Sequence, residues 1–427
     1  MTSKEFTNTL YTNDNLFIMN GMNSNFVDLI YLDPPFNTKR IYSAPIGSKA
    51  AGSSFKDMWT WHDVNEAYLD TLAVKYPLLT KFIATTGSLH SKAMMAYLTY
   101  MAQRIIEMHR VLKDTGSLYL HCDPTASHYL KTVLDEIFGK DNYRNEIIWH
   151  YGQRTTFHKQ HFSRKHDTIL FYSKSKRSFF GKVSEVWDRE IFLSNRHDVL
   201  VDSDGREYIW SDGGKKGLRY KRYVTDVLEA GKPLDSVWNI PILNSAAKER
   251  TGYPTQKPLA LLYRIIKASS NEGDLVFDPF CGCATTCVAA QQLGRKWIGI
   301  DIEKQAVSIL VERLSNDAGL FKDFINTTLV PQRTDVKIES PTDYSVKERL
   351  YKEQNGLCNA CGTQFEIWNL ETDHIIPTTK GGGNYYENYQ LLCSSCNRIK
   401  GNRPMEYLRL KIKTREEMIG SKIIFGE

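Results

Sequence analysis

The chain has 427 residues, of which 41% are hydrophobic and 24% charged, a composition typical of globular proteins rather than of disordered or fibrous ones. Its length predicts two or three domains. No apolar run reaches the ~18 residues of a membrane span, and the N-terminus lacks the apolar segment of a secretory signal, so we expect a cytoplasmic protein with no membrane partner. The net charge of +6 permits nucleic acid as a partner without requiring it.

The first part of the chain alternates predicted strands and helices. Residues 27–33 form an apolar, β-branched run that stops at two prolines, which predicts a buried strand. Apolar residues recur at helical spacing over 92–112, a second strand follows at 116–121, and residues 125–138 form a helix that ends at Gly139. This order predicts an α/β fold.

The pattern loosens into short basic and aromatic stretches between residues 151 and 232. This segment holds 17 Lys or Arg and 11 Asp or Glu, a balance of +6 that equals the charge of the whole chain. Residues 154–182 carry eight of those basic residues. Six aromatic residues are interleaved with them, namely Phe157, Phe162, Phe171, Tyr172, Phe179 and Phe180. The combination favours contact with phosphates and stacked bases over a merely solvated face.

Strict alternation returns in the second part. A predicted helix at 258–269, a strand at 274–278, a helix at 285–293 and a strand at 297–301 complete a βαβ unit, and a further helix follows at 304–314. A polar, proline-containing stretch at 331–344 predicts a linker. We therefore expect two domains, residues 1–330 and 345–427.

The turn inside the βαβ unit has the composition of a ligand site. It reads Asp278-Pro-Phe-Cys-Gly-Cys-Ala-Thr-Thr286, and Asp301 stands 23 residues after Asp278 at the end of the next strand, where a carboxylate suits ribose hydroxyls. The turn lacks a full G-x-G-x-x-G, so an adenosine-containing ligand without a pyrophosphate fits better than a dinucleotide, and a plain tight turn is the alternative. A metal cluster on the three cysteines of this region is disfavoured, because the turn requires small residues in any case.

The first predicted strand ends in Asp33-Pro-Pro-Phe36. The Asp33 carboxylate and the Pro34 carbonyl are acceptors for an exocyclic NH₂ group, and the Phe36 ring is a stacking surface for a planar base. Such a pocket suits a base extruded from a duplex. Taken alone, the segment is equally compatible with a simple strand-ending turn.

These motifs together resemble a known family. Asp33–Phe36, Tyr253-Pro-Thr-Gln-Lys-Pro258, Asp278-Pro-Phe-Cys-Gly282 and Asp301, in this order, resemble the β group of DNA amino-methyltransferases. Gly116–Asp123 and Asn145–Trp149 are similar to type III modification subunits and phage adenine methyltransferases. The resemblance covers about residues 8–314 and implies a Rossmann-like, S-adenosylmethionine-dependent methyltransferase domain with permuted motif order.

The resemblance also implies roles for particular residues. Asp33, Pro34, Pro35 and Phe36 would be catalytic, and residues 151–244 would hold the target-recognition insert. The cofactor S-adenosylmethionine would be bound by Lys257, Pro258, Asp278, Phe280, Gly282, Thr285 and Asp301. Two positions depart from the family, since Cys283 stands for Ser and Ala284 for Gly, and the added methyl group raises the question of weaker cofactor binding. Asp as the first catalytic residue implies adenine N6 as the target, with cytosine N4 as the open alternative.

Four cysteines near the C-terminus have the spacing of a structural zinc site. Cys358 and Cys361 form one C-x₂-C pair, Cys393 and Cys396 form another, and 31 residues separate the pairs. In a chain without an export signal this pattern favours zinc over disulfides. A small domain of this size needs such a staple to fold, so a purely structural metal is one interpretation.

The residues between the cysteine pairs resemble zinc-bearing HNH nucleases over about residues 345–404. The resemblance rests on Glu371-Thr-Asp373-His374-Ile-Ile-Pro377, Gly381–Gly383, Asn388–Cys393, Asn397 and Lys400. It implies a ββα-metal fold in which His374 is the general base and Asn388 braces the loop. Asp373 and Asn397 would hold a divalent cation such as Mg²⁺. A module that only binds DNA is the alternative.

The two halves together lead to one hypothesis. We expect a site-specific DNA methyltransferase with a fused HNH endonuclease, of the single-chain restriction-modification type, acting on double-stranded DNA and compatible with a homodimer. No Walker-type G-x-x-x-x-G-K-[ST] sequence is present, which disfavours ATP-driven translocation by this chain. A methyltransferase whose zinc module only binds DNA is the main rival, and a non-enzymatic DNA-binding protein is disfavoured by the intact Asp33–Phe36 motif.

Overall fold

The computed structural model describes residues 8–36, 40–43, 48, 54–57, 72–73, 75–152, 157–194, 196, 198–212, 218–244, 246–303, 305–316, 324–403, 405, 407–409 and 411–412. The strands within these residues are β1 (Thr9–Thr12), β2 (Val27–Leu32), β3 (Arg40–Ser43), β4 (Ser54–Asp57), β5 (Leu112–Cys122), β6 (Tyr143–His150), β7 (His166–Ser173), β8 (Ser184–Glu185), β9 (Leu200–Val201), β10 (Glu207–Asp212), β11 (Arg219–Tyr223), β12 (Lys232–Pro233), β13 (Val237–Asn239), β14 (Leu275–Asp278), β15 (Lys296–Asp301), β16 (Ile325–Thr327), β17 (Leu370–His374) and β18 (Tyr389–Cys393). The α-helices are α1 (Asn15–Gly21), α2 (Pro77–Leu89), α3 (Lys92–Val111), α4 (Ser127–Phe138), α5 (Arg189–Ser194), α6 (Val224–Ala230), α7 (Leu259–Ser269), α8 (Thr285–Gln292), α9 (Gln305–Asn316), α10 (Tyr344–Glu353) and α11 (Ser394–Lys400).

Nine of these strands form one sheet in the order β13-β6-β7-β5-β2-β14-β15-β1-β16. In the part of this order that runs from β5 through β2, β14, β15 and β1 to β16, each strand is parallel to the next. Strand β7 runs antiparallel to both β5 and β6. The central neighbours β2 and β14 come from opposite halves of the chain, yet their carboxyl ends lie side by side. The α/β fold is confirmed, and the strand that ends at Asp33 precedes in sequence the strand that ends at Asp278, as the permuted order requires.

Both faces of the sheet are covered, which explains the continuous apolar sequence of β2. Ile30 and Leu32 pack in a buried cluster with α3 and α4, while Leu29 and Tyr31 pack on the other face with α7 and α8. The predicted helices begin and end close to the expected positions. For example, Ser91 caps α3 by accepting a hydrogen bond from the Met94 amide. No helix among the described residues has the length and apolar character needed to cross a bilayer.

Part of the segment assigned to target recognition belongs to the main sheet. Strand β7 lies between β5 and β6, and its Phe171 and Tyr172 are buried, so the expectation that these two rings face DNA was wrong. Because basic residues flank β7 in the sequence, the sequence pattern did not indicate that β7 is an ordinary core strand. Strand β13 of the same segment also joins the main sheet, at its edge beside β6. Strands β9, β10 and β11 make a separate three-stranded sheet around a core of Phe192, Ile209 and Val224. Arg154 lies outside the described residues.

The C-terminal domain is a ββα unit. Strands β17 and β18 pair antiparallel, with Leu370 opposite Cys393 and His374 opposite Tyr389, and α11 follows β18 directly. Its buried core contains Leu370, Leu391 and three of the cysteines.

The predicted linker is packed against both domains. Thr334 donates its backbone N–H to Asn23 of the methyltransferase-like domain, and Ile338 bridges to Tyr385 of the C-terminal domain. The domains also touch directly, because Leu16 of α1 and Ile376 are buried together in a separate apolar cluster. The loop that follows His374 is therefore seated on α1.

Candidate active sites

A cavity of about 970 Å³ opens at the carboxyl edge of the parallel strands. It is lined by the residues that follow β1, β2, β14 and β15 and by the loop 250–257. Ligands in open α/β sheets bind at this edge, where the strand order changes direction. The volume is at the upper end of the ~300–1,000 Å³ of small-molecule sites.

Asp33 stands at the centre of this cavity in an asymmetric environment. Its Oδ2 accepts a hydrogen bond from the Lys257 ammonium at 2.5 Å. Its Oδ1 is buried and has no hydrogen-bond partner among the described residues. Pro34, Pro35 and Phe36 line the same cavity. One oxygen of the Asp33 carboxylate is thus bonded to the protein, and the other is available to a hydrogen-bond donor of a ligand.

Phe36 stacks on a fully buried histidine that the sequence reasoning gave no role. The rings of Phe36 and His121 lie 5.8 Å apart at 26°, and His121 Nδ1 and Nε2 are within 3.1 Å of Tyr31 Oη and Asp167 Oδ2. Tyr151 donates a further hydrogen bond to Asp167 at 3.2 Å. Both ring nitrogens are partnered, so the imidazole is a fixed support for the stacking ring.

The turn formed by residues 278–286, called the cofactor-type turn below, is held in place by two buried carboxylates. Asp278 accepts hydrogen bonds from the Phe280 amide at 3.0 Å and from Thr286 Oγ1 at 2.5 Å. Asp301 accepts from the amides of Gly282 and Glu303, both at 2.8 Å. Phe280, Gly282 and Thr285 also line the cavity, whereas Pro258 lies outside the lining as the N-cap of α7.

Burial shifts the protonation of both carboxylates. It raises the pKa of Asp278 to about 7 and that of Asp301 to about 6, although the hydrogen bonds that each accepts act in the opposite direction. A buried carboxyl prefers the neutral form because ionisation without solvation is costly. A cation placed in this cavity would therefore favour the ionised forms.

Two residues of the turn have left-handed backbone. Gly282 has φ +51°, and a Cβ there would lie 3.2 Å from the Tyr253 ring, so any other residue would be strained and would have to displace that ring slightly. Ala284 has φ +57° and ψ +32°, a conformation that strains a residue with a Cβ. Its side chain is packed in the buried cluster beneath the turn and is not part of the cavity lining. The methyl group that replaces the family's hydrogen thus lies in the core, on the side away from the ligand space.

The start of α1 completes the cavity, although no sequence motif indicates this role. Asn15 donates to the Pro279 carbonyl at 2.8 Å, and the buried Arg104 donates to Asn15 at 2.6 Å and to Asp14 at 3.0 Å. These bonds join α1, α3 and the cofactor-type turn. The contacts link residues up to 264 positions apart, and only the tertiary fold brings them together.

Basic residues of the 157–182 segment lie at two opposite edges of the sheet. Strand β7 starts at the cavity edge, where Asp167 lines the cavity, and runs antiparallel to β5 towards the far edge. Lys174 and Arg177 are at that far edge, bonded to Leu112 and Asp114. The loop 157–165 is instead next to the cavity and exposes Phe157 and Phe162 almost completely. Within the described part of this segment, the loop 157–165 combines basic residues with the two most exposed rings.

The four C-terminal cysteines converge as their spacing predicts. The Sγ atoms of Cys358, Cys361, Cys393 and Cys396 all lie within 4.8 Å of one another. Among the described residues they are the only group of three or more His, Cys, Asp or Glu side chains that converges in this way. Four sulfur donors at this separation suit tetrahedral Zn²⁺. Cys281, Cys283 and Cys287 do not form such a group.

The residues around His374 are paired with one another. His374 Nε2 is 2.8 Å from Asn384 Oδ1. Asp373 Oδ2 accepts from Gln390 and from Lys400, both at 2.9 Å, and the buried Lys400 also donates to the His374 carbonyl at 2.8 Å.

Two asparagines complete this loop. Asn397, on α11, donates to Glu371 at 2.6 Å, and no hydrogen bond to Asn397 Oδ1 or Asp373 Oδ1 is seen among the described residues. Such donors suit Mg²⁺. Asn388 is buried and bonds both the N–H and the carbonyl of Ile376, which ties down the loop after His374.

Comparisons with known proteins agree with this architecture. Residues 27–312 match the DNA methylase family, and residues 358–403 match the HNH endonuclease family. Type II methyltransferase M.EcaI from Enterobacter cloacae is 29% identical over 71% of this chain and 68% of its own length. The DNA adenine methyltransferase YhdJ from Escherichia coli is 30% identical over 51% of this chain and 67% of its own. Among solved structures, the PvuII DNA methyltransferase (cytosine-N4-specific) covers 74% of this chain and 89% of its own, with 14% identity and a TM-score of 0.44.

Proposed function

Because the chain belongs to the DNA methylase family and carries an HNH domain, we propose that it methylates an exocyclic amino group of DNA, adenine N6, with S-adenosylmethionine as the donor. We further propose that its HNH domain cleaves DNA with a divalent cation. The protein would then combine modification and restriction in one chain.

The orphaned oxygen of Asp33 carries the first part of the proposal. A buried acceptor without a partner costs about 1–3 kcal/mol, so a ligand that donates a hydrogen bond to that atom would recover this free energy. An amino group of an extruded base is a donor of the right kind, since it offers two hydrogens and a flat ring that stacks on Phe36. The Pro34 carbonyl is the natural acceptor for the second hydrogen.

Holding both amino hydrogens turns the nitrogen lone pair out of conjugation with the ring. S-adenosylmethionine supplies a methyl group already activated on a sulfonium. The chain therefore has to position the amino group and exclude water, which is the main source of rate in such displacements. The target nitrogen loses one proton when it gains the methyl group, and Asp33 is placed to accept it.

The residues of the cofactor-type turn fit an adenosine-containing ligand. Asp301 ends the strand after the turn, as in sites that bind ribose hydroxyls, and Phe280 offers a ring for the adenine. Asp278, Gly282 and Thr285 shape the floor of the same cavity. The relation to YhdJ, a DNA adenine methyltransferase, supports adenine as the target over the alternative, cytosine N4.

The nuclease part rests on the HNH residues around β17. A neutral imidazole suits a general base near pH 7, and a divalent cation held by Asp373 and Asn397 would offset charge at the scissile phosphate. The four cysteines would hold structural Zn²⁺ and so keep the ββα unit folded. The exposed rings and charges of the 157–165 loop would contact the DNA beside the extruded base.

Labelled methyl transfer tests the methyltransferase. Unmethylated DNA is incubated with the protein and tritiated S-adenosylmethionine, and the DNA is then digested to nucleosides and separated by mass. We expect N6-methyladenine from the wild type and at least about 100-fold less from Asp33→Ala, since it lacks the acceptor. N4-methylcytosine as the product would overturn the adenine assignment, and full activity of Asp33→Ala would overturn the proposed base clamp.

Cleavage tests the HNH domain separately. The wild type is incubated with plasmid DNA and Mg²⁺, with and without S-adenosylmethionine, beside His374→Ala. We expect cutting that requires Mg²⁺ and is absent in His374→Ala. If the wild type binds but never cuts, the module is only a DNA-binding domain, and if His374→Ala cuts equally well, the catalytic assignment is wrong.

A further inference from the structure

Among the residues that the structure describes, Lys257 is the one cation bonded to the proposed catalytic carboxylate. Its ammonium lies 2.5 Å from Asp33 Oδ2, 3.5 Å from the Thr255 carbonyl and 5.6 Å from the centre of the Phe36 ring. Its side chain is 10% exposed and that of Asp33 is 15% exposed. Two of these three contacts, those with Asp33 and Phe36, are with residues of the proposed base pocket.

We infer that Lys257 is a positioning residue for the methyl-transfer reaction and does not bind the cofactor. It holds Asp33 by one oxygen, so that the other oxygen is presented to the amino group of the target base. The inference rests on the proposed function and reassigns a residue that the sequence resemblance placed with the cofactor.

The geometry supports this role in two ways. A carboxylate at the end of a strand turns about two side-chain bonds, and without an anchor its two oxygens are equivalent. The Lys257 bond breaks that equivalence, because Oδ2 is occupied while Oδ1 stays buried and unpartnered. A charge-assisted bond of this kind is about twice as strong as a neutral one, so it favours a single orientation before any base arrives.

Charge makes the second argument. Asp278 and Asp301 lie in the same cavity as Asp33, and Asp33 contributes to the raised pKa of Asp278. Three carboxylates in one cavity repel one another, and a single ammonium bonded to Asp33 offsets part of that repulsion. Lys257 thereby keeps Asp33 suited to accept hydrogen bonds from a neutral amino group.

Substitution at Lys257 separates this role from cofactor binding. Lys257→Met keeps the apolar stem and removes the ammonium, and Lys257→Arg keeps a cationic donor. We expect Lys257→Met to lower kcat for methyl transfer about 100-fold while its Kd for S-adenosylmethionine, measured by calorimetry without DNA, stays within about twofold of the wild type. Lys257→Arg should recover a measurable part of kcat, since it can still donate to Asp33 Oδ2.

The chain supplies a matched control in Lys113, which pairs with Asp28 of β2 at 2.7 Å, at the opposite end of the same strand. Lys113→Met removes an equivalent ion pair away from the cavity, and its kcat should match that of the wild type. Thermal unfolding of all variants checks that they are folded, and if Lys257→Met does not fold, the comparison of Lys257→Arg with the wild type decides.

Either of two results overturns the inference. One is a Kd for S-adenosylmethionine that rises in Lys257→Met in proportion to the loss of activity, which would make Lys257 a cofactor ligand. The other is an unchanged kcat. A wild type that methylates no DNA would instead refute the proposed function itself, so the two failures are distinguishable.

Discussion

The two proposed catalytic regions of this chain differ in how the oxygen atoms of their candidate site residues are bonded. In the large cavity, Asp33 Oδ1 is buried without a partner. In the HNH domain, the side chains of Asp373, His374 and Asn397 each bond another side chain of the same domain. The cavity therefore leaves a buried acceptor that a ligand could use, whereas each of the three HNH side chains is already tied to its own domain by one hydrogen bond or ion pair.

The difference follows from the size of the two cores. The cavity lies at the edge of a nine-stranded sheet that is buried on both faces, which is enough burial to tolerate an unsatisfied oxygen. The HNH domain has a two-stranded sheet and a small core that includes three of its cysteines. In a domain of that size each unpaired polar group costs a larger share of the total stability, and Tyr386 Oη is the one buried polar side-chain atom without a hydrogen-bond partner among its described residues.

The largest expected effect tests the ion pair between Lys400 and Asp373 inside the HNH domain. Lys400 is 1% exposed and bonded to both Asp373 and the His374 carbonyl, so Lys400→Met leaves a buried carboxylate without its counter-charge. We expect the HNH domain to lose about 3–5 kcal/mol, measured as a lower unfolding temperature of that domain and faster proteolysis after α9. Methyl transfer should be unaffected at temperatures where the HNH domain alone has melted.

A double variant and a surface lysine control this result. Asp373→Asn combined with Lys400→Met removes both charges and should recover part of the lost stability. Lys352→Met alters an exposed position of α10 and should change stability by less than about 0.5 kcal/mol. An unchanged HNH domain in Lys400→Met would show that the loop does not depend on its internal ion pair, and the contrast with the cavity would disappear.

A smaller effect, on the pH dependence of ligand affinity, tests whether the cavity binds a cationic ligand. Burial raises the pKa of Asp278 to about 7 and that of Asp301 to about 6, so both are increasingly neutral below these values. A sulfonium or ammonium group nearby attracts only the ionised forms. Affinity for S-adenosylmethionine should therefore rise as the pH increases through 6 to 7 and level off above it, by at most about tenfold per pH unit for each group.

Calorimetry at several pH values gives the slope directly. Asp278→Asn removes one of the two titrating groups, so its affinity should be lower and should vary less with pH than that of the wild type. Equal slopes in the two proteins would mean that Asp278 does not sense the ligand, and a falling affinity with rising pH would contradict the proposed charge arrangement.

Local sequence predicted the cavity better than it predicted the contacts across it. Asp33, Asp278 and Asp301 follow apolar strands that are buried on both faces, and such strands are recognisable from composition alone. The bond from Lys257 to Asp33 spans 224 positions, and no local pattern carries that information.

The mistaken expectation for Phe171 and Tyr172 has a related origin. Basic residues on both sides of β7 suggested one continuous surface, but the aromatic run between them is a core strand of the main sheet. The seating of Ile376 on Leu16 was likewise invisible, because either residue alone reads as an ordinary core position.

The smallest expected effect concerns the strained alanine of the cofactor-type turn. Left-handed backbone costs a residue with a Cβ about 1–2 kcal/mol, which Ala284→Gly relieves. The same change loses about 0.8 kcal/mol from the buried methyl group and about 0.5–1 kcal/mol through the greater freedom of the unfolded chain, so the net change in stability should be close to zero.

Ala289→Gly, a buried position within the regular part of α8, suffers both losses without any relief and should cost about 1–2 kcal/mol more than Ala284→Gly in chemical denaturation. Since the Ala284 methyl group packs in the core, the Kd for S-adenosylmethionine should not change, and a tenfold tighter Kd in Ala284→Gly would place that methyl group in the ligand space after all.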